Sequence, residues 1–158
     1  MKDITKTIKV KPIVEGLKIG AKTKVNIYSY HPKAKNEFFK LVKKLVKERG
    51  NNADLNDIDT SEITDMSYMF NASNFNGDIS NWDVSNVKDM RNMFFNSKFN
   101  GNISNWDVSN VEDMTFMFGY AEFNGDISKW NVSNVKYMSS IFYDSPLQNN
   151  PPKWYKKK

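Results

Sequence analysis

From Asn51 onward, apolar and polar positions alternate in a pattern that repeats. Residues 75–98 read FNGDISNWDVSNVKDMRNMFFNSK, residues 99–122 FNGNISNWDVSNVEDMTFMFGYAE, and residues 123–146 FNGDISKWNVSNVKYMSSIFYDSP. Trp82, Trp106, Trp130 and Trp154 are each 24 residues apart. The stretch 51–74 is a degenerate copy that keeps Leu55, Ile58, Ile63, Met66, Met69 and Phe70 in register, and 147–158 is a partial copy. Fixed self-similarity at this period predicts a stack of like units sharing one core.

Two periodicities alternate within a copy. Trp82 and Val84 are two apart and share a strand face, which leaves Asn81, Asp83 and Ser85 on the other. Val87, Met90, Met93 and Phe94 follow helical spacing. Asn86 with Asp89, and Asn110 with Asp113, read as an N-cap followed by an acid in the first turn. F-N-G then reads as a turn in which Gly77, Gly101 and Gly125 supply positive φ. The expected copy is a strand, a corner, a short helix and a return turn, with parallel strands at Asn81–Ser85, Asn105–Ser109 and Lys129–Ser133.

Residues 1–50 form a separate N-terminal segment. Ile8 with Val10, and Val25 with Ile27, suggest two short strands around Gly16 and Gly20. Residues 36–49 carry Phe38, Leu41, Val42 and Leu45 at helical spacing, with lysines opposite and Gly50 as a stop. An amphipathic helix directly before the first copy suits the cap that a repeat stack needs.

The string F-N-G-D-I-S-x-W-D-V-S-N-V-x-x-M-x-x-M-F resembles the repeat of BspA-like surface proteins, also found on mycoplasma-type surface lipoproteins. The I-x-x-W-x-V-x-x-V part is similar to a leucine-rich-repeat strand with Trp in a Leu slot. The resemblance implies an α/β repeat fold. Its form is a leucine-rich-repeat-like right-handed solenoid with a parallel strand ladder and short helices, capped here by the N-terminal amphipathic helix. It also implies surface adhesion or protein binding, and no catalytic residues.

Charge divides the chain. Residues 1–50 hold 14 Lys and Arg against four acids, and residues 51–146 hold five against 14, within a net charge of +5. A basic head on an acidic body can orient partners. Cys is absent, which excludes disulfides and thiolate metal sites. No apolar run reaches a membrane span. The first twenty residues lack a secretory apolar stretch, so a cytoplasmic location stands beside the surface location that the resemblance implies.

The acids invite a metal reading. One column runs Asp59, Asp83, Asp107, Asn131, and another Asp54, Asp78, Asn102, Asp126. Strand neighbours ~4.8 Å apart bring such carboxylates within reach of a shared Ca²⁺. The Asn in each column and the missing glycine-rich spacing favour a polar ladder instead, so no cofactor is expected. No nucleophile, zinc or phosphate-loop motif appears. Near-identical repeated acids do not provide the two unlike environments of an acid–base pair.

A non-enzymatic protein-interaction or adhesion module is therefore the expectation. The alternatives are a metal-dependent lectin-like protein and a nucleic-acid-binding one. Tyr28, Tyr30 and His31 in the basic head suit nucleic acid, but the acidic body repels phosphate. The candidate binding residues are Asp59, Asp83 and Asp107, flanked by Asn81 and Asn105, facing a basic protein partner or the Lys-rich head of another copy. Tyr68 and Phe116 are candidate apolar anchors. They belong to the column Tyr68, Asn92, Phe116, Ser140, which varies between copies, as does Asn71, Phe95, Gly119, Tyr143.

Overall fold

The computed structural model describes residues 28–156. The strands expected around Ile8, Val10, Val25 and Ile27 lie outside them.

Helix α1 spans Lys35–Arg49. It buries Phe38, Val42 and Leu45 and turns its lysines to solvent. The Lys33 amide donates to the Glu37 carboxylate at 2.9 Å, which ties down the N-terminal turn. Gly50 ends the helix at φ 91°, a conformation that suits glycine, and its N–H reaches the Val46 carbonyl at 2.9 Å. The helix lies against the first copy, and its Phe38 ring reaches Trp82 of the second copy edge-on at 5.0 Å. Lys35 Nζ bonds both Asp65 carboxylate oxygens at 2.9 Å. Arg49 grips the Asp57 carboxylate with two bonds of 2.9 Å, and Lys33 pairs with Glu62. Lys33, Lys35 and Arg49 thus pair with three acids of the first copy within the same chain.

The copies stack in register, but not as the expected α/β strand ladder. Among the described residues the only α-helix is α1, with a 3₁₀ turn at Pro146–Gln148. Strand pairing is confined to single parallel bridges at Tyr30–Ile58, Asp54–Asp78, Asp65–Asp89, Asp89–Asp113 and Asp113–Tyr137. No ladder forms at Asn81–Ser85, Asn105–Ser109 or Lys129–Ser133. A leucine-rich-repeat-like solenoid is therefore not the fold of this chain. At those segments backbone amides are spent on turns within the copy, and Asn81 N on the Asn56 side chain, rather than on a strand ladder. Trp82 N bonds Ile79 O at 3.1 Å, Val87 N bonds Val84 O at 2.9 Å, and Ser85 N bonds the Asp83 side chain at 3.0 Å.

The segments expected as short helices are ribbons of tight turns. Met93 N bonds Met90 O at 3.2 Å and Phe95 N bonds Asn92 O at 3.2 Å, each closing a four-residue turn. The intervening amides leave the copy: Met90, Asn92, Phe94 and Asn96 donate to Asp113, Thr115, Met117 and Gly119 of the next copy at 2.8–3.0 Å. Asn92 and Asn96 lie at φ 52° and 51°, and their equivalents share this left-handed conformation. A helix cannot pass through such residues. Asn86 and Asn110 are therefore not helix caps, nor are Asp89 and Asp113 first-turn acids. Asp89 Oδ1 accepts from Arg91 N at 3.0 Å, while Asn86 Nδ2 donates to Ser61 O of the preceding copy at 2.8 Å.

The inward columns form one core from α1 to Leu147. Each buried indole ties its copy to the one before: Trp82, Trp106 and Trp130 donate to the carbonyls of Leu55, Ile79 and Ile103 at 3.0–3.2 Å. Phe75, Phe99 and Phe123 stack 6.2 Å apart and nearly parallel, and Phe70, Phe94, Phe118 and Phe142 form a second column at 5.6–6.0 Å. Gly77 is needed for space rather than for φ, since a Cβ there would lie 2.0 Å from the Ala53 carbonyl oxygen.

Candidate protein-interaction surface

The turn ribbons carry the surface feature that differs most between copies. Each ribbon holds two residues in the left-handed region, at Tyr68 and Ala72, Asn92 and Asn96, Phe116 and Tyr120, and Ser140 and Asp144. In the third copy both are aromatic. Phe116 therefore stands beside Phe95 and Tyr143, with ring centroids 5.9 and 6.5 Å away. Tyr120 meets the same two rings at 5.4 and 5.2 Å. All four contacts are edge-to-face, an arrangement favoured by the ring quadrupoles.

Gly119 makes room for the group. It occupies the column position between Phe95 and Tyr143, where a Cβ would come within 3.0 Å of the Phe116 ring and 3.2 Å of Phe95. A pocket of about 490 Å³ opens there, lined by Asn92, Phe95, Phe116, Tyr120, Ser140 and Tyr143. Tyr120 and Tyr143 stay about half exposed, at 45% and 50%. Partial desolvation of the Tyr120 phenol, with the neighbouring Tyr143 hydroxyl, raises its pKa.

The two expected apolar anchors are not neighbours. Phe116 is in this pocket. Tyr68 instead lines a groove of about 550 Å³ between α1 and the first copy, with Phe39, Val46 and Lys47 among the opposing residues. Tyr120 was missed by sequence reasoning. Its own column, Ala72, Asn96, Tyr120, Asp144, varies as much as the two that were singled out.

The expected acidic residues serve the turns. Asp83 and Asp107 are exposed, and each accepts the N–H of the serine two residues on, at 3.0 Å. Asn131 does the same for Ser133 at 3.1 Å. The Asp107 carboxyl is held below its usual pKa by the Ser109 hydroxyl and amide. Asp59 makes this turn with Ser61 and also faces His31 Nδ1 at 3.2 Å, so it is engaged within the chain. Asn81 and Asn105 are exposed beside them, and the Asn81 amide donates to the Asn56 side chain at 2.8 Å. Among the described residues no three His, Asp or Glu side chains gather as a metal site.

Residues 36–155 match the family described as "Mycoplasma protein of unknown function, DUF285". The chain belongs to this family. The match begins in α1 and runs through all four copies to Tyr155, so the family unit includes the cap as well as the repeats. The BspA-like, leucine-rich-repeat part of the sequence resemblance gains no support from the match or from the turn-built stack. No curated protein and no solved structure matches the chain. Among the described residues no helix is long and apolar enough to cross a membrane.

Proposed function

We propose that the protein is a non-enzymatic protein-interaction module, acting in adhesion at a cell surface, and that its partner anchors in the pocket around Gly119. One observation carries this reading. Four aromatic rings from three successive copies converge on a single exposed pocket, on columns that the fold leaves free to vary. Aromatic anchors supply most of the energy of protein interfaces. The acidic face offers charge but no anchor, so its part is to steer a basic partner, with an effect that weakens in salt.

The test is capture from the protein's native surroundings by the wild type, with Phe116→Ala and Gly119→Leu as controls. The first variant removes a wall and the second fills the pocket. A protein held by the wild type and retained about tenfold less by both variants supports the reading, as expected for a hot spot. Equal retention by all three overturns it.

A further inference from the structure

The four rings at the Gly119 pocket are packed unlike the rings of the core. The buried phenylalanine columns stack with planes 2–16° apart. Phe95, Phe116, Tyr143 and Tyr120 instead form a closed circuit of contacts whose planes meet at 71–76°. Perpendicular neighbours stand as walls, so the rings enclose the pocket rather than covering it with one flat apolar sheet. The sides of the circuit are 5.2–6.5 Å long. A group seated over its middle therefore lies within the ~6 Å over which a ring attracts a cation.

The charge balance near the pocket is negative. None of the lining residues is charged. Asp144 is exposed beside Tyr143, and its field reaches the Tyr120 phenol. On the second-copy ribbon, Arg91 and Lys98 are paired with Asp89 and Glu122. Among the described residues the chain's own cation–π contacts are Lys43 on Phe39 and Arg49 on Tyr30, and none is made to the four rings. Residues 51–146 as a whole carry 14 acids against five Lys and Arg. An anion is repelled from such a surface and a cation is drawn to it.

The rim adds hydrogen-bond acceptors. Asn92 and Ser140 hold the Phe116 position in the copies on either side and are half-buried, so their side-chain oxygens join the two phenols around the rings. We propose that the pocket takes the guanidinium of an arginine on the partner protein, an inference that rests on the pocket being the anchor. A guanidinium suits both parts of the lining, since its plane packs on aromatic faces and its N–H groups donate to oxygens. A leucine or phenylalanine would cover those oxygens without giving them a partner. A lysine ammonium brings charge but no plane to pack. A second copy of this chain does not supply the group, because its two arginines, Arg49 and Arg91, are held by Asp57 and Asp89.

The test titrates the full chain with three blocked tripeptides, glycine–X–glycine, in which X is arginine, citrulline or leucine. Citrulline keeps the shape of arginine and loses its charge. The readout is the NMR signals of the Phe95, Phe116, Tyr120 and Tyr143 rings. The arginine peptide should shift all four and bind about tenfold or more tighter than the citrulline peptide. Asp144→Asn should weaken the arginine peptide severalfold and leave the citrulline peptide unchanged. Phe116→Asn, which fits the backbone as Asn92 does at φ 52°, should abolish the preference. Equal binding of arginine and citrulline, or tighter binding of leucine at these rings, overturns the inference while the pocket remains an apolar anchor. So does an arginine peptide that leaves the rings unshifted at about 20 mM, where a Kd of a few mM fills the site, or one that binds Phe116→Asn equally well. Whether the pocket anchors a partner at all is decided separately, by retention in the capture experiment.

Discussion

Trp106 Nε1 donates to the carbonyl of Ile79, 3.2 Å away in the preceding copy, and both residues are buried. The indole is thus a packing unit and a cross-layer bond at once. Trp106→Phe keeps most of the ring but orphans the Ile79 carbonyl, and should cost ~1–3 kcal/mol. Trp106→Ala adds a cavity and should cost ~3–5 kcal/mol. Trp154 makes the same bond from a half-buried position at the end of the stack, so Trp154→Ala should cost clearly less. Urea melts decide: equal losses for Trp106→Ala and Trp154→Ala contradict a stack in which interior layers hold more than the last.

Ala72 tests the turn ribbon. It is exposed and lies at φ 51°, where a Cβ is strained and glycine is not. Ala72→Gly should therefore raise stability by ~1 kcal/mol, the reverse of its effect in a helix. A helix through residues 66–73 predicts a loss instead, so the sign of the change in a thermal melt separates the two structures.

That contrast marks how far the sequence could be read. The period located every layer, and Trp82, Val84, Val87, Met90 and Phe94, with their equivalents in the third copy, are buried as expected. The helix expected at 36–49 is α1, at Lys35–Arg49. The backbone between the columns was not legible. Consecutive four-residue turns place apolar side chains three or four apart, as a helix does, so Val87, Met90, Met93 and Phe94 cannot tell the two apart. Asn at both 92 and 96, tolerant of the left-handed region, was the available signal. The glycines were misread for a related reason. A tight approach such as Gly77 to Ala53 leaves the same mark in a sequence as a positive φ. The aromatic pocket was only half legible, because variable columns show where specificity can lie but not which rings meet.

The aspartates should matter as acceptors more than as charges. Asn102 and Asn131 already make the turn that Asp107 makes, to Ser104 and Ser133 at 3.0 and 3.1 Å. Asp107→Asn should leave stability within ~0.5 kcal/mol, and Asp107→Ala should cost ~1 kcal/mol for the lost acceptor. Acid separates charge from shape. The carboxyls of Asp78, Asp107 and Asp126 are held below their usual pKa, chiefly by the serine two residues on, and Asp57 chiefly by Arg49. A depressed folded pKa gives stability that is present above the unfolded value, near ~3.9, and is lost as pH falls through the folded value. Asp89 has the opposite sign, since burial raises its pKa and its protonation relieves a cost. Melts from pH 7 down to pH 3 should fall for the wild type and fall less for Asp107→Asn. Parallel curves would show that this carboxylate does not contribute through its charge.

The last prediction separates binding from stability at Phe116. This ring sits at φ 53°, a conformation that costs an L-residue with a bulky side chain roughly 1–2 kcal/mol. The equivalent residue of the second copy is Asn92, at φ 52°, so asparagine fits the position without moving the backbone. Phe116→Asn relieves part of the strain and gives up the edge contacts to Phe95 and Tyr143, worth ~0.5–1.5 kcal/mol each at most. The two effects oppose each other, and stability should stay within ~1 kcal/mol of the wild type. Affinity for a partner anchored in the pocket should fall by tenfold or more, which is ~1.4 kcal/mol. Phe118, two residues on, is buried among stacked rings, and Phe118→Ala should instead cost ~3–5 kcal/mol of stability. A strained aromatic kept at a half-buried position beside an open pocket signals use at a surface. If Phe116→Asn melts several kcal/mol below the wild type while binding is unchanged, the ring is holding the stack together and the pocket is not the anchor.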